Sequence, residues 1–325
     1  MRVLVTGGAG YLGALATARM LREGHGVRVL DNLQYGGSSL LAVASEGLFE
    51  FCQGDVRDPG TVQKSLAGIQ AVVHLAAIVG DPACARNPAL AREVNLDASL
   101  QLVALANKAG VERFIFASTC SNYGRRSEAA ELVQENDELK PVSLYAETKV
   151  AVETELLRTK SNGFAPTVLR FATLYGVSPR MRFDLTVNQF TMEMLTRGKI
   201  SVYGEKFWRP YVHVYDAARA IATVLAIPAA KVAHRVFNVG DTAENYTKRD
   251  LVELISVEVP GCTVEYVQKD EDPRDYRVSF DRIRSELAFE VSRRVPDGIR
   301  EVAAAIRGGL IENVDSPSQY NTPNE

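Results

Sequence analysis

The sequence predicts an α/β fold: a doubly wound parallel sheet with a smaller, discontinuous α/β unit attached. Three observations predict it. Short apolar runs alternate with helical patterns from the first residue. Several runs, such as VRVL (27–30) and AVVHLAA (71–77), are largely apolar rather than alternating, and a glycine-rich turn joins the first run to the first helix. Short β-rich runs separated by helices are parallel strands with crossover connections, and apolar strands imply a sheet covered on both faces.

The strand candidates in order are Arg2–Val5, Val27–Asp31, Phe49–Gly54, Ala71–Ala76 and Arg113–Ser118. Helical patterns occupy Gly13–Arg22 and the stretch around Asn95–Ala109, and another helix starts after Pro141. After Gly176 the pattern is less regular. Arg180–Gly198 reads as a loop plus helix, Ile200–Tyr203 as a short strand, and Tyr211–Ile227 as a strand followed by a helix. Val236–Val239 reads as a buried strand, Lys248–Val257 as a helix, Val264–Val267 as a strand and Pro296–Arg307 as a last helix. These assignments place residues 1–176, with about 211–240, in the main unit, and 177–210 with 241–314 in the second. Residues 315–325, rich in Ser, Pro and Asn, are expected to be a poorly ordered tail.

The 325 residues carry a formal net charge of -3, with no polybasic run to meet nucleic acid or an anionic membrane. Cys52, Cys84, Cys120 and Cys262 are scattered, and with four His no zinc spacing occurs, so no metal is expected. Sparse thiols fit a reducing cytosol. The opening MRVLVTGG already reads as a strand entering a turn, which argues against secretion, and no apolar run approaches the ~20 residues of a membrane span. A cytoplasmic protein is expected.

Residues 6–13 read TGGAGYLG. Gly8, Gly10 and Gly13 satisfy G-x-G-x-x-G, and Gly7, Gly10 and Gly13 satisfy a shorter-spaced variant. Following a strand and opening a helix, they would set backbone N–H groups and the helix dipole against a pyrophosphate, in Rossmann fashion. Asp31, at the end of the second strand, can accept hydrogen bonds from the adenosine ribose hydroxyls and would repel a 2′-phosphate. Asn32 rather than an arginine follows it, so NAD is favoured over NADP. Asp55 is placed to meet the adenine edge, or else to form a turn capping the helix near Asp58.

Tyr145 and Lys149 stand at i and i+4 on one helix, so phenol and ammonium share a face. A free tyrosine titrates near ~10 and is a poor base at neutral pH; a neighbouring ammonium and an oxidised nicotinamide would stabilise its phenolate. Alone, Tyr-x-x-x-Lys arises by chance on many helices. Here the strand FIFAS (114–118) also runs into the hydroxyl residues Thr119 and Ser121 at its carboxyl end, where open α/β sheets bind ligands. A hydroxyl there can bond an oxygen that becomes a ketone and relay its proton.

With TGGAGYLG, HLAA (74–77), STCSNYG (118–124) and YAETK (145–149) in this order, the chain resembles the extended short-chain dehydrogenase/reductase family, specifically its NAD-dependent nucleotide-sugar epimerase/dehydratase group. WRPYVHVYDAARA (208–220), FNVG (237–240) and PRDYRVS (273–279) look like its later landmarks, so the resemblance covers nearly the whole chain. It implies Tyr145 as acid/base, Lys149 as its electrostatic partner and a nicotinamide-ribose ligand, and Thr119 as the catalytic hydroxyl. It implies a cofactor path along Gly7, Gly10, Tyr11, Leu12, Gly13, Asp31, Asn32, Asp55, Val56, Leu75, Ala76, Ala77 and Ser118, with Asn95 holding the strand ends nearby. Arg209 and Arg274 match arginines that clamp the sugar-nucleotide diphosphate, if they are not solvated surface charges. Asn188 and Thr173 are further expected substrate contacts. A homodimer through the helices near Asn95–Ala109 and Leu144–Arg158 is implied by the same analogy.

Departures narrow the reaction. The group's 4,6-dehydratases place an Asp–Glu pair directly after the catalytic Thr, and its decarboxylases a Glu where Ser121 stands; this chain has Cys120 and Ser121. A serine cannot remove an acidic α-proton as a carboxylate does, so both reactions lose weight. Cys120 is either a thiol acid or a small buried residue. Thr173 replaces a frequent Asn, and Pro210 a common Asp. GDPACARNP (80–88) and GVSPRMRFDL (176–185) are similar to a subgroup with modified or longer sugars, including heptose oxidoreductases. The expected activity is a C4 epimerase of a nucleotide-linked hexose or related sugar, working through a transient 4-keto intermediate. The alternatives are a net C4 dehydrogenase or reductase and, in a different class, a catalytically silent NAD-binding regulator.

Overall fold

The computed structural model describes residues 1–125, 132–159, 163–268 and 275–321. Its central sheet contains β1 (Arg2–Thr6), β2 (Gly26–Asp31), β3 (Phe49–Gln53), β4 (Ala71–His74), β5 (Arg113–Thr119) and the strands Ala165–Phe171 and Arg235–Val239. The order is β3-β2-β1-β4-β5, then Ala165–Phe171, then Arg235–Val239, and every pairing is parallel. Alternate residues feed two cores. Val3, Val5, Val29, Val73 and Ile115 pack into one, and Leu4, Leu30, Val72, Phe114 and Phe116 into the other. Helices cover both faces, so each of these side chains is sealed from water and contributes roughly 1.5–3 kcal/mol. The edge strand β3 lacks this double cover and leaves Phe51 exposed.

The strand order reverses between β1 and β4, which opens a crevice at their carboxyl ends. β4 stops at His74, two residues earlier than the apolar run suggests. The His74 ring is buried between Thr6 Oγ1 at 2.7 Å and Ser99 Oγ at 2.9 Å, and burial pushes its pKa down to about 3, so it is neutral. Leu75–Ala77 are thereby released from the sheet into the crevice.

The strand Ala165–Phe171 escaped the sequence reading because Pro166 and Arg170 interrupt its apolar run. Arg170 is buried there, paired with Glu153 at 2.7 Å. The later part of the chain pairs Lys199–Tyr203 with Thr263–Val267, and Trp208–His213 with both Thr173–Tyr175 and Asn245–Thr247. It has its own apolar cluster around Phe190, Ile200, Tyr211, Leu251 and Ile299.

The expected loose tail is corrected for residues 315–321. Tyr320 is buried against Phe183, Met181 and Val302, and Phe183 N donates to Gln319 O at 2.9 Å. Composition misled here, because two aromatic rings and a few backbone bonds outweigh the polar majority. Among the described residues no helix is long and apolar enough to cross a membrane.

Candidate active site

The first wall of the crevice is backbone. Gly7 has φ +74°, and a Cβ there would lie 2.7 Å from Ala76 N; at Gly13 one would lie 2.1 Å from Gly7 O. Only glycine lets β1, the turn and the loop after β4 approach so closely. The helix Tyr11–Arg22 starts two residues earlier than expected, with Gly10 as its N-cap and no side-chain cap. Its first N–H groups and the positive end of its dipole thus face the crevice, a cradle that fits a dinucleotide pyrophosphate.

One continuous cleft is lined by Gly7, Gly10, Tyr11, Leu12, Gly13, Asp31, Asn32, Asp55, Val56, Leu75, Ala76, Ala77, Ser118, Thr119, Tyr145, Lys149 and Thr173. Of the described residues expected at the site, Asn95, Asn188 and Arg209 are absent from this lining. The Tyr11 hydroxyl donates to Gly176 O at 2.5 Å, so its ring turns into the protein and its backbone serves the cleft. Asp31 accepts from Ala9 N at 2.9 Å and Leu33 N at 2.8 Å, bonds that hold its carboxylate beside the glycine turn. Burial raises its pKa against the pull of those two N–H groups. Asp55 is held by Arg57 at 2.8 Å, which keeps its carboxyl below the usual range. The cap of the helix Pro59–Leu66 is Asp58, not Asp55.

The floor comes from β5 and the helix Leu144–Arg158. That helix is capped by Ser143, whose hydroxyl accepts from Ala146 N and donates to Asp81 Oδ1 at 2.7 Å. Thr119 Oγ1 accepts from Ser121 N and donates to Ser121 Oγ, each at 3.1 Å. Lys149 Nζ donates to Ala117 O at 3.0 Å, lies 4.7 Å from the Phe116 ring centre and 5.9 Å from that of Tyr145. Burial lowers its pKa to about 8. Burial pushes the Tyr145 phenol well up, and the charge that opposes this most is the Arg182 guanidinium. Around this phenol desolvation outweighs the neighbouring charges, and the Lys149 ammonium is engaged by a carbonyl.

Behind the floor, Ser118 Oγ donates to Glu153 Oε1, Asn122 Nδ2 donates to the same oxygen at 2.7 Å, and Arg170 holds the carboxylate with Nε and Nη2. This buried ion pair, one helical turn beyond Lys149, fixes the helix against the carboxyl end of β5.

Three expected residues do not line the cleft. Asn95 is fully buried, accepting from Ile78 N at 2.8 Å and donating to Ile78 O at 2.9 Å; it positions the loop after β4 from a π-helical turn, Glu93–Asp97. Asn188, expected as a nucleotide contact, is fully buried. It accepts from Gly176 N at 2.9 Å and donates to the Tyr11 hydroxyl at 3.1 Å and Arg182 O at 3.0 Å. Its amide is consumed in joining the glycine-turn helix to the segment after Gly176. Arg209 is buried one layer back, with its guanidinium 5.7 Å from the ring of Tyr276, and it is Tyr276 that reaches the cleft. Arg274 lies outside the described residues.

Ser121, one of the hydroxyl residues read at the end of β5, also lines the cleft, as do Arg180, Arg182, Tyr276 and Asn321, to which sequence reasoning assigned no binding role. The two arginines stand in the noted segment GVSPRMRFDL, but nothing local marks which of its side chains turn inward. Cys120, by contrast, is buried with its thiol toward Arg170 O at 3.3 Å, and burial pushes its pKa well up, so it is a core residue and not a thiol acid.

A family model described as the NAD dependent epimerase/dehydratase family matches residues 3–240. A UDP-glucose 4-epimerase of Corynebacterium glutamicum is 28% identical over 309 residues, covering 89% of this chain and 90% of that protein. A dTDP-glucose 4,6-dehydratase of Streptomyces niveus is 31% identical over 315 residues, covering 93% and 91%. Among solved structures, the UDP-glucose 4-epimerase of Thermus thermophilus in complex with NAD superposes with a TM-score of 0.82 at 29% identity, covering 95% of this chain and 99% of that one. DesIV, the dTDP-glucose 4,6-dehydratase from Streptomyces venezuelae with NAD and TYD bound, gives 0.84 at 28% identity, covering 95% and 98%. Epimerases and dehydratases are thus similarly near. With its seven-stranded parallel sheet, its glycine cradle and this match, the chain belongs to the NAD-dependent epimerase/dehydratase family of extended short-chain dehydrogenases/reductases, and its cofactor is NAD.

Proposed function

We propose that the chain is an NAD-dependent 4-epimerase of a nucleotide-linked hexose or related sugar. One observation carries the choice within the family. Thr119, Tyr145 and Lys149 share the cleft floor with Ser121, while positions 120 and 121 hold no carboxylate and Cys120 faces the core. Elimination of water from a 4-keto sugar needs a base for the proton next to the ketone, and a serine hydroxyl is too weak a base for it. Without elimination, reducing the 4-keto sugar again is the step that regenerates NAD within one turnover.

NAD, when bound, supplies a reversible hydride acceptor. The glycine turn and the helix from Tyr11 would hold its pyrophosphate, Asp31 its ribose, and Lys149 the nicotinamide half. Tyr145 takes the proton from the sugar's 4-hydroxyl and later returns it. Thr119 Oγ1 bonds the same oxygen and fixes its distance from the phenol. Lys149, whose pKa near 8 is set by burial, keeps a cation beside the phenolate as it forms. The nucleotide diphosphate would extend toward Tyr276 and Arg182 of the far wall.

The proposal includes a homodimer through the helices Ala98–Lys108 and Leu144–Arg158 and a cytoplasmic setting, supported by four free thiols. It is tested by incubating the purified protein with UDP-, GDP-, dTDP- and CDP-hexoses while following product stereochemistry and NADH together. An epimer without net NADH is the expected result. Stoichiometric NADH would make the chain a C4 dehydrogenase, and a dehydrated 4-keto product would make it a dehydratase.

A further inference from the structure

We propose that Arg180 is a second pyrophosphate-binding group for NAD, and that residues Ser316–Asn321 hold it in place as a strap that retains the cofactor. The inference rests on the cofactor being NAD and not on the epimerase reading.

The segment bearing Arg180 is tied to the dinucleotide side of the cleft. Ser178 Oγ donates to Tyr11 O at 2.6 Å, which places this segment against the start of the glycine-turn helix. The Arg180 guanidinium stacks 4.0 Å from the ring centre of Tyr35, four residues beyond Asp31. It is 7% exposed and still lines the cleft.

Its partners are carbonyls. Nε donates to Ser318 O at 3.1 Å and Nη2 to Tyr320 O at 3.0 Å. Among the described residues its neighbour Arg182 has a carboxylate, Asp184 at 2.5 Å, whereas Arg180 has none. Two carbonyl dipoles do not neutralise a buried guanidinium, and an uncompensated buried cation is costly. Burial and the charge of Arg182 push its pKa down to about 10, the same imbalance seen from the proton's side. A pyrophosphate lying on the glycine turn is the anion that would balance it, with a planar guanidinium suited to two phosphate oxygens.

The strap that positions this group reaches both lips of the cleft. Asn321 N donates to Asp184 Oδ1 at 3.3 Å, and Asn321 Nδ2 donates to Val79 O at 3.5 Å in the loop after β4. Tyr320, 3% exposed, anchors it against Phe183. NAD seated on the glycine turn would then leave when these bonds open.

The test uses full-length protein freed of nucleotide. Affinities for NAD, ADP-ribose and nicotinamide mononucleotide are measured by calorimetry, and NAD loss is followed during gel filtration. Arg180→Met is expected to weaken NAD and ADP-ribose by about tenfold or more and leave nicotinamide mononucleotide unchanged. Arg180→Lys, which keeps the charge, should fall between and serves if Arg180→Met does not fold. A chain ending at Val314 should release NAD at least about tenfold faster. Unchanged NAD affinity with weaker nucleotide-sugar binding would assign Arg180 to the substrate diphosphate and overturn the proposal. Wild-type NAD affinity in Arg180→Lys with wild-type release from the shortened chain would overturn it as well.

Discussion

The two walls of the cleft reach the same end by different physics. On the glycine-turn side, the cradle lies between Thr6 and Asp31, and apart from the Asp31 carboxylate its binding groups are backbone N–H donors exposed because side chains are missing. On the facing side, Arg180 is held by carbonyls 138 and 140 residues further along the chain. Asn188 and Tyr11 join the two, across 177 residues of sequence. A wall made of backbone tolerates change at most side chains and almost none at two glycines. A wall made of one arginine and a returning segment can be altered one side chain at a time, so it is where relatives sharing the first wall can differ in what they hold and for how long.

The floor lies between the walls and should fail differently from both. Tyr145→Phe removes the proton carrier and leaves the cradle intact, so kcat should fall by about a thousandfold or more while bound NAD per subunit is unchanged. Activity within tenfold of wild type would detach the phenol from the chemistry. Gly13→Ala strikes the backbone wall, where a Cβ 2.1 Å from Gly7 O cannot be relieved by a side-chain rotation. It should cost about 1–3 kcal/mol in urea unfolding and abolish NAD retention. A normal NAD content would show that the turn can shift.

Asn188→Ala tests the link between walls. Losing its bonds to Gly176 N, the Tyr11 hydroxyl and Arg182 O should cost about 1–3 kcal/mol of stability without raising the nucleotide-sugar KM at saturating NAD. A raised KM at wild-type stability would restore the direct substrate contact expected from sequence. The smallest effect is in pH. Lys149 is near 8 when folded against 10.5 as the ordinary value, so the unfolded chain binds more protons between about pH 8 and 10.5, and the cofactor-free protein gains stability as pH rises through that window. Lys149→Met should flatten this rise in urea midpoints taken at about pH 7.5 and 9.5; identical slopes would contradict a desolvated ammonium.

The same contrast explains what was legible in the sequence. The glycine turn, Asp31 and the Tyr145–Lys149 pair are local patterns whose spacing states their geometry, and they fall where the pattern puts them. Lys149 is less simple: its partner Ala117 O and its neighbour Phe116 come from a strand well upstream of its own helix, so its desolvation was invisible. Asn188 and Arg209 were read as contacts from their positions in the family pattern, yet burial decides what a polar side chain meets, and burial depends on packing from distant segments. Arg180 and the residues around Tyr320 carry no local signature, since an arginine in a loop and a Ser-Pro-rich end both look solvated until each is seen to satisfy the other.

The most direct test of the central claim is the fate of hydrogen at the sugar's C4. With substrate deuterated at C4, the account predicts a C4 epimer that keeps its deuterium at C4 and its full mass, with no label in free NADH. Deuterium appearing in released NADH, or a product lighter by one water, would contradict it.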